Sequence, residues 1–163
     1  MLPLLGEHRS KFNLLVTFAS PHLGISEVPS CIVQTGILYM RSLGGVESIR
    51  ELYYKEEKLV GLAANQMISE FKTVILVGSH EDNYIPAYSA LASYGGKDQL
   101  TIEMSERLNA NLPRVIKCCV KFDMEESMWD VMTKRRGHIS FLEDDSFIKY
   151  FTVQFQQYFY ALS

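Results

Sequence analysis

The stretch that most constrains this chain is Thr73 to Pro86, TVILVGSHEDNYIP. Thr73-Val74-Ile75-Leu76-Val77 is apolar and β-branched almost throughout, the pattern of a parallel strand covered on both faces. Such a strand needs helices on either side of its sheet, which makes the fold class α/β. Gly78 ends the run, and Ser79-His80-Glu81-Asp82-Asn83 crowds polar and ionisable groups into the turn at its C-terminal end. Ligands and reacting groups of open α/β sheets gather there. Pro86 opens the next helix. A carboxylate fixed between a rigid strand and a proline-started helix is suited to orienting a histidine, and Asp82 is the candidate.

Composition narrows the rest. The 163 residues are 47% apolar and 21% charged, enough for one globular domain over residues 1–163 with its own core. A net charge of -3 lacks the electrostatic footprint of a nucleic-acid binder, and the basic run Lys134-Arg135-Arg136 is too short to alter that. Cys31, Cys118 and Cys119 form an odd set without ligand spacing, and neighbours on a strand point to opposite faces. Buried free thiols in a reducing compartment are expected. No window approaches the length of a membrane span, and the N-terminal apolar run is too short for a signal peptide. The expected location is the cytoplasm, free or peripheral to membranes.

In chain order, an irregular lead-in (1–11) precedes Phe12 to Ala19, a second apolar run and the first strand. Ser20-Pro21-His22-Leu23-Gly24 follows as a polar turn where that strand leaves the sheet. His22 reads either as a ligand or acid–base group, or as a turn histidine bonded to backbone. Three amphipathic segments then fall within residues 30–71, more helix than one crossover requires. That excess is either a lid or ordinary helical decoration. After Pro86 come a helix from Ala87 to Tyr94, ended by Gly95-Gly96, and another from Leu100 to Leu108. Arg114 to Phe122 is a third strand, with Lys117 and Lys121 marking a partly exposed face. Lys134-Arg135-Arg136-Gly137-His138 reads as a loop, its glycine turning the backbone before the histidine. Glu143-Asp144-Asp145-Ser146 starts a final helix whose aromatic stripe, Phe147 to Phe159, docks on the sheet. There is no internal repeat or linker, and no histidine pair at metal spacing.

Asp82 and His138 both follow strands, so both can lie on one edge of a parallel sheet. Acid before histidine is the downstream part of a serine-hydrolase relay, in which the nucleophile comes first. No Gly-x-Ser-x-Gly occurs, and Ser20, Ser26, Ser42 and Ser79 lack a glycine-flanked elbow.

Three segments together resemble the C-terminal half of the serine esterase domain of unknown function, a lipase-like α/β-hydrolase family. They are Thr17-Phe18-Ala19-Ser20-Pro21-His22-Leu23-Gly24, then Val77-Gly78-Ser79-His80-Glu81-Asp82-Asn83-Tyr84-Ile85-Pro86-Ala87-Tyr88-Ser89-Ala90, then Arg136-Gly137-His138-Ile139 with Glu143-Asp144 beyond. The resemblance spans nearly the whole chain. It implies the C-terminal portion of an α/β-hydrolase fold, with three mostly parallel strands and flanking helices. It further implies Asp82 as triad acid, His138 as triad base, and Ser20, Pro21, His22, Leu23 and Gly24 as a turn beside the acyl pocket. The implied substrate is a small-molecule or lipid ester with an apolar acyl group, and no cofactor or metal is implied. In that family a Gly-His-Ser-Leu-Gly elbow precedes the first strand seen here. This sequence lacks the elbow, the strand before it and the oxyanion loop.

The departure carries two expectations. One is an N-terminally shortened or partial product of a hydrolase; the other is a catalytically inactive remnant that works as a protein-interaction module. Under either, Phe12 to Ala19 is an apolar sheet edge that calls for a pairing partner. The 163-residue chain is therefore expected to run as an oligomer or precipitate in size-exclusion chromatography; a monodisperse monomer that unfolds cooperatively contradicts a shortened sheet.

Overall fold

The computed structural model describes residues 12–25, 52–53, 60–61, 66–94, 98–110, 112, 114–122 and 136–160. Three strands form its sheet: β1 (Leu14–Phe18), β2 (Thr73–Ser79) and β3 (Val115–Val120). Their order is β1-β2-β3 and both pairings are parallel. Leu14 faces Thr73 and Phe18 faces Val77 across the first pair, while Val74 faces Val115 and Ser79 faces Val120 across the second. The central place of β2 accounts for its composition, since all seven of its residues are buried.

Alternation along the strands divides the core into two layers. Ile75 and Val77 of β2 face one side with Val16, Phe18, Ile116 and Val120. That side is covered by α3 (Arg136–Glu143) and α4 (Asp145–Gln154), whose Phe141, Phe147 and Phe151 are buried. Val74 and Leu76 face the other side with Leu15, Phe71, Ala92 and Leu108, beneath α1 (Ala87–Ala90) and α2 (Gln99–Ala110). On α2 the buried Thr101, Met104, Ser105 and Leu108 recur at helical spacing. α5 (Gln156–Tyr160) ends the described chain.

Aromatic rings hold the first layer together. Phe147 meets Phe18 at 5.9 Å, Phe122 at 5.5 Å and Phe141 at 5.6 Å between ring centroids, all near-perpendicular. These are favourable edge-to-face separations, and they join β1, α3 and α4 into one packing unit. Asp144 starts α4, its Oδ1 accepting the Phe147 N–H at 2.9 Å, as the acidic run before the aromatic stripe predicts.

Several elements differ from the sequence reading. β2 continues through Gly78 to Ser79, because a strand buried on both faces tolerates a glycine where a helix must come close. A Cβ on Gly78 would stand 2.9 Å from the Ala90 Cβ of α1. α1 stops at Ala90 and not at the Gly95-Gly96 pair: Ala92 takes a φ of 46°, and its carbonyl accepts from Ser105, Asn109 and Lys117. Residues 136–138 belong to a helix and not a loop, so His138 sits in the first turn of α3. The final helix is interrupted at Phe155, which leaves α4 and α5 as separate pieces. Cys118 is half-buried and Cys119 exposed, because β3 keeps one face open at Lys117, Cys119 and Lys121; the thiols are free but not both interior. Within 30–71 the described parts are Leu52–Tyr53, Val60–Gly61, a short 3-10 helix, Gln66–Glu70, in place of a helix end, and Phe71. Most of that insert, with Cys31, the lead-in and residues 123–135, lies outside the described residues.

Phe147→Ala is expected to lower stability by about 3–5 kcal/mol in urea unfolding, through the cavity it opens among four rings. Ile148→Ala, one residue on and 42% exposed, is expected to cost about 1 kcal/mol or less. Equal effects would contradict the packing unit.

Candidate active site

β2 delivers its polar turn at the C-terminal edge of the sheet, and the turn is built from its own side chains. The Ser79 hydroxyl donates to the Glu81 carboxylate and accepts the Glu81 N–H at 3.1 Å. Asn83 Nδ2 donates to the Glu81 carbonyl at 2.9 Å. Asp82 then reaches forward along the chain. Its Oδ1 accepts the N–H groups of Tyr84 at 2.8 Å and Ile85 at 3.0 Å, an aspartate turn that folds the following residues around the carboxylate. Pro86 and α1 hold the far end, since Ser89 and Ala90 both donate to the Pro86 carbonyl.

The second carboxylate oxygen faces α3. Asp82 Oδ2 lies 2.8 Å from His138 Nδ1. The Asp82 side chain is 1% exposed and that of His138 is 37% exposed. A carboxylate only accepts, so Nδ1 carries the hydrogen and donates it, leaving Nε2 as the nitrogen with a free lone pair. The tautomer of the imidazole is thereby set by a buried acid whose other oxygen already accepts two backbone hydrogen bonds. Tyr84 packs beside the imidazole, with ring centroids 5.6 Å apart and planes tilted by 40°. The two residues come from positions 56 apart in sequence. They meet because the β2 turn and the start of α3 share one edge of the sheet.

The turn after β1 lies at the same edge. Ala19, with a φ of 44°, donates its N–H to the Val77 carbonyl at 2.9 Å and turns the chain out of the sheet. Ser20 and Pro21 supply carbonyls to the His22 and Gly24 N–H groups, and Gly24 takes a φ of 83°. Leu23 is fully buried against Met104, and its N–H donates to Ser89 Oγ of α1 at 3.0 Å. His22 has a side-chain partner and not the backbone partner of the plainer reading: Nε2 is 3.0 Å from Thr17 Oγ1. Burial lowers its pKa to about 4, so His22 is neutral at pH 7.

The structure thus brings Asp82 and His138 into direct contact and gathers Ser20 to Gly24 at the same sheet edge, with Leu23 turned into the core. Sequence reasoning passed over Tyr84 and Ile85, whose backbone N–H groups complete the acid, and Thr17, which holds His22. An aspartate two residues before an aromatic and four before a proline is the signal for the first pair; nothing local marks Thr17. Burial, with a neighbouring charge adding to it, pushes the thiols of Cys118 and Cys119 up. Among the described residues, no three His, Cys, Asp or Glu side chains are grouped to hold a metal ion, and no helix is long and apolar enough to cross a membrane.

No protein-family model and no solved structure matches this chain.

His22 generates a pH prediction. Its folded pKa of about 4 lies below the ordinary 6.5, so above pH 6.5 it is neutral whether folded or not. Between 6.5 and 4 the unfolded chain binds the proton first, and stability falls by up to about 3 kcal/mol. Urea unfolding across that interval is expected to show the loss, and His22→Asn is expected to flatten it. An unchanged slope in the variant would contradict the assignment.

Proposed function

We propose that this chain carries the acid and the base of a serine esterase or lipase-like hydrolase that cleaves esters of apolar acids. The observation that supports it is the 2.8 Å contact of His138 Nδ1 with a buried Asp82 whose other oxygen is capped by two backbone N–H groups. An arrangement of that kind leaves one imidazole nitrogen aimed away from the acid and available for proton transfer. The nucleophilic serine comes from outside these 163 residues, since no glycine-flanked elbow is among them.

In the proposed reaction, His138 Nε2 takes the proton of the serine hydroxyl as its oxygen attacks the ester carbonyl. Asp82 faces the imidazolium that forms and keeps its ring in place. The same proton passes to the leaving alkoxide as the acyl–serine bond is completed. Water then repeats the cycle: His138 takes its proton as the water oxygen attacks the acyl carbonyl, the serine alkoxide is displaced from that carbon, and the proton passes from His138 to the serine oxygen as the acid leaves. The turn from Ser20 to Gly24 lies beside the acyl group in this reading.

A second reading, a protein-interaction module, draws support from an apolar surface shared by β1 and the helix that carries His138. Val16, Phe18, Phe141, Leu142, Phe147 and Ile148 contribute to an apolar groove of about 290 Å³ along β1, and Leu142 is 75% exposed. A strand-bearing polypeptide with an apolar face fits both the groove and the β1 backbone.

The two readings differ over His138. In the endogenous protein, assayed on acyl esters, His138→Ala is expected to lower kcat/KM by about 10³-fold or more without unfolding the chain, because its side chain is partly exposed. Full activity in that variant contradicts the hydrolase reading. Intact binding to a partner with no esterase activity in either form supports the module.

A further inference from the structure

The geometry points to Gly137 as the positioning residue of the acid–histidine pair: we infer that its missing side chain sets the distance between Asp82 and His138. Gly137 is buried in the first turn of α3, directly before His138. A Cβ built on it would stand 2.1 Å from the Glu81 carbonyl oxygen, 2.5 Å from the Glu81 carbonyl carbon and 2.9 Å from the Asp82 nitrogen. All three are backbone atoms of the peptide that leads into Asp82. No rotamer change relieves such a clash, so one backbone must retreat from the other.

The glycine is present for space and not for conformation. Among the described glycines only Gly24 has a left-handed φ, while Gly137 sits inside a helix, where glycine costs about 1 kcal/mol relative to alanine. A helix carries that cost where a backbone must pass close by. Here the passing backbone belongs to the acid, and the next residue of the helix is the base. The contact therefore lies between the backbones of the two groups whose side chains must meet.

Its tightness also decides the hydrogen bond. Relieving a 2.1 Å contact moves α3 and the acidic turn apart by about 1 Å, and a 2.8 Å bond stretched that far is no longer a hydrogen bond. Asp82 cannot follow, because Tyr84 and Ile85 hold its Oδ1 and the residue is 3% exposed. His138 then loses the acceptor that keeps the hydrogen on Nδ1. Gly78 provides the control. It admits α1 as Gly137 admits the acidic turn, its Cβ falling 2.9 Å from the Ala90 Cβ, but on a contact that does not include the pair.

The test is the tautomer of His138, read from ¹⁵N chemical shifts of its ring nitrogens at pH 8 in the full 163-residue chain. This inference uses the same pair as the hydrolase reading, but the readout involves no catalysis, so each fails on its own evidence. Wild type is expected to hold the hydrogen on Nδ1. Gly137→Ala is expected to shift it mostly to Nε2, with the far-ultraviolet spectrum of a folded chain. Gly78→Ala is expected to lose stability and keep the Nδ1 form. Where Gly137→Ala is unfolded in buffer, the measurement is repeated in trimethylamine oxide, which favours the compact state. A folded Gly137→Ala that retains the wild-type tautomer overturns the proposal. A variant that folds in neither condition, or a Gly78→Ala that also loses the Nδ1 form, assigns the glycine to the fold at large and overturns it as well.

Discussion

A carboxylate taken out of water must have its lone pairs met by donors, or it destabilises whatever surrounds it by several kcal/mol. Asp82 satisfies that condition with three donors from two parts of the chain: Tyr84 N–H, Ile85 N–H and His138 Nδ1. The first two are local and shape the turn after β2. The third is distant, and it ties the start of α3 to the sheet edge. Because α3 also carries Phe141 into the ring cluster with Phe18 and Phe147, the polar pair and the aromatic layer fix the same helix from two ends.

The sheet explains why this meeting point exists. β2 is buried on both faces and flanked by parallel neighbours, so its C-terminal end is a rigid platform with little freedom to move its turn. Each neighbouring segment contributes to the same edge. The β1 turn is locked through Ala19 to Val77 and through Leu23 to Ser89, and α1 is seated on Gly78. Ala19 and Gly24 take positive φ at this edge and Gly137 admits the acidic turn, while Ala92 takes its positive φ where α1 ends.

Much of this arrangement was legible in the residues. The β-branched run at 73–77 announced a doubly covered strand, the acidic turn marked Asp82, and the order acid then histidine placed both at one edge. The helical state of His138 was not legible, because Lys134-Arg135-Arg136-Gly137 has the composition of a loop and the glycine acts through a contact with residue 81. The interruption at Phe155 was hidden by an aromatic stripe that continues across it. His22 was ambiguous for a related reason: its partner Thr17 lies on the preceding strand, and side-chain pairing across a strand end leaves no spacing rule to read. Local patterns reported burial and periodicity well, and missed contacts made between backbones far apart in sequence.

The role proposed for the Asp82–His138 pair requires a nucleophilic serine. Treating the endogenous protein with a fluorophosphonate and mapping the adduct by mass spectrometry looks for it. The expected result is a single modified serine flanked by glycines, in a polypeptide that contains or binds these 163 residues, with labelling lost in His138→Ala. An endogenous protein that carries the intact pair and yields no serine adduct would contradict it.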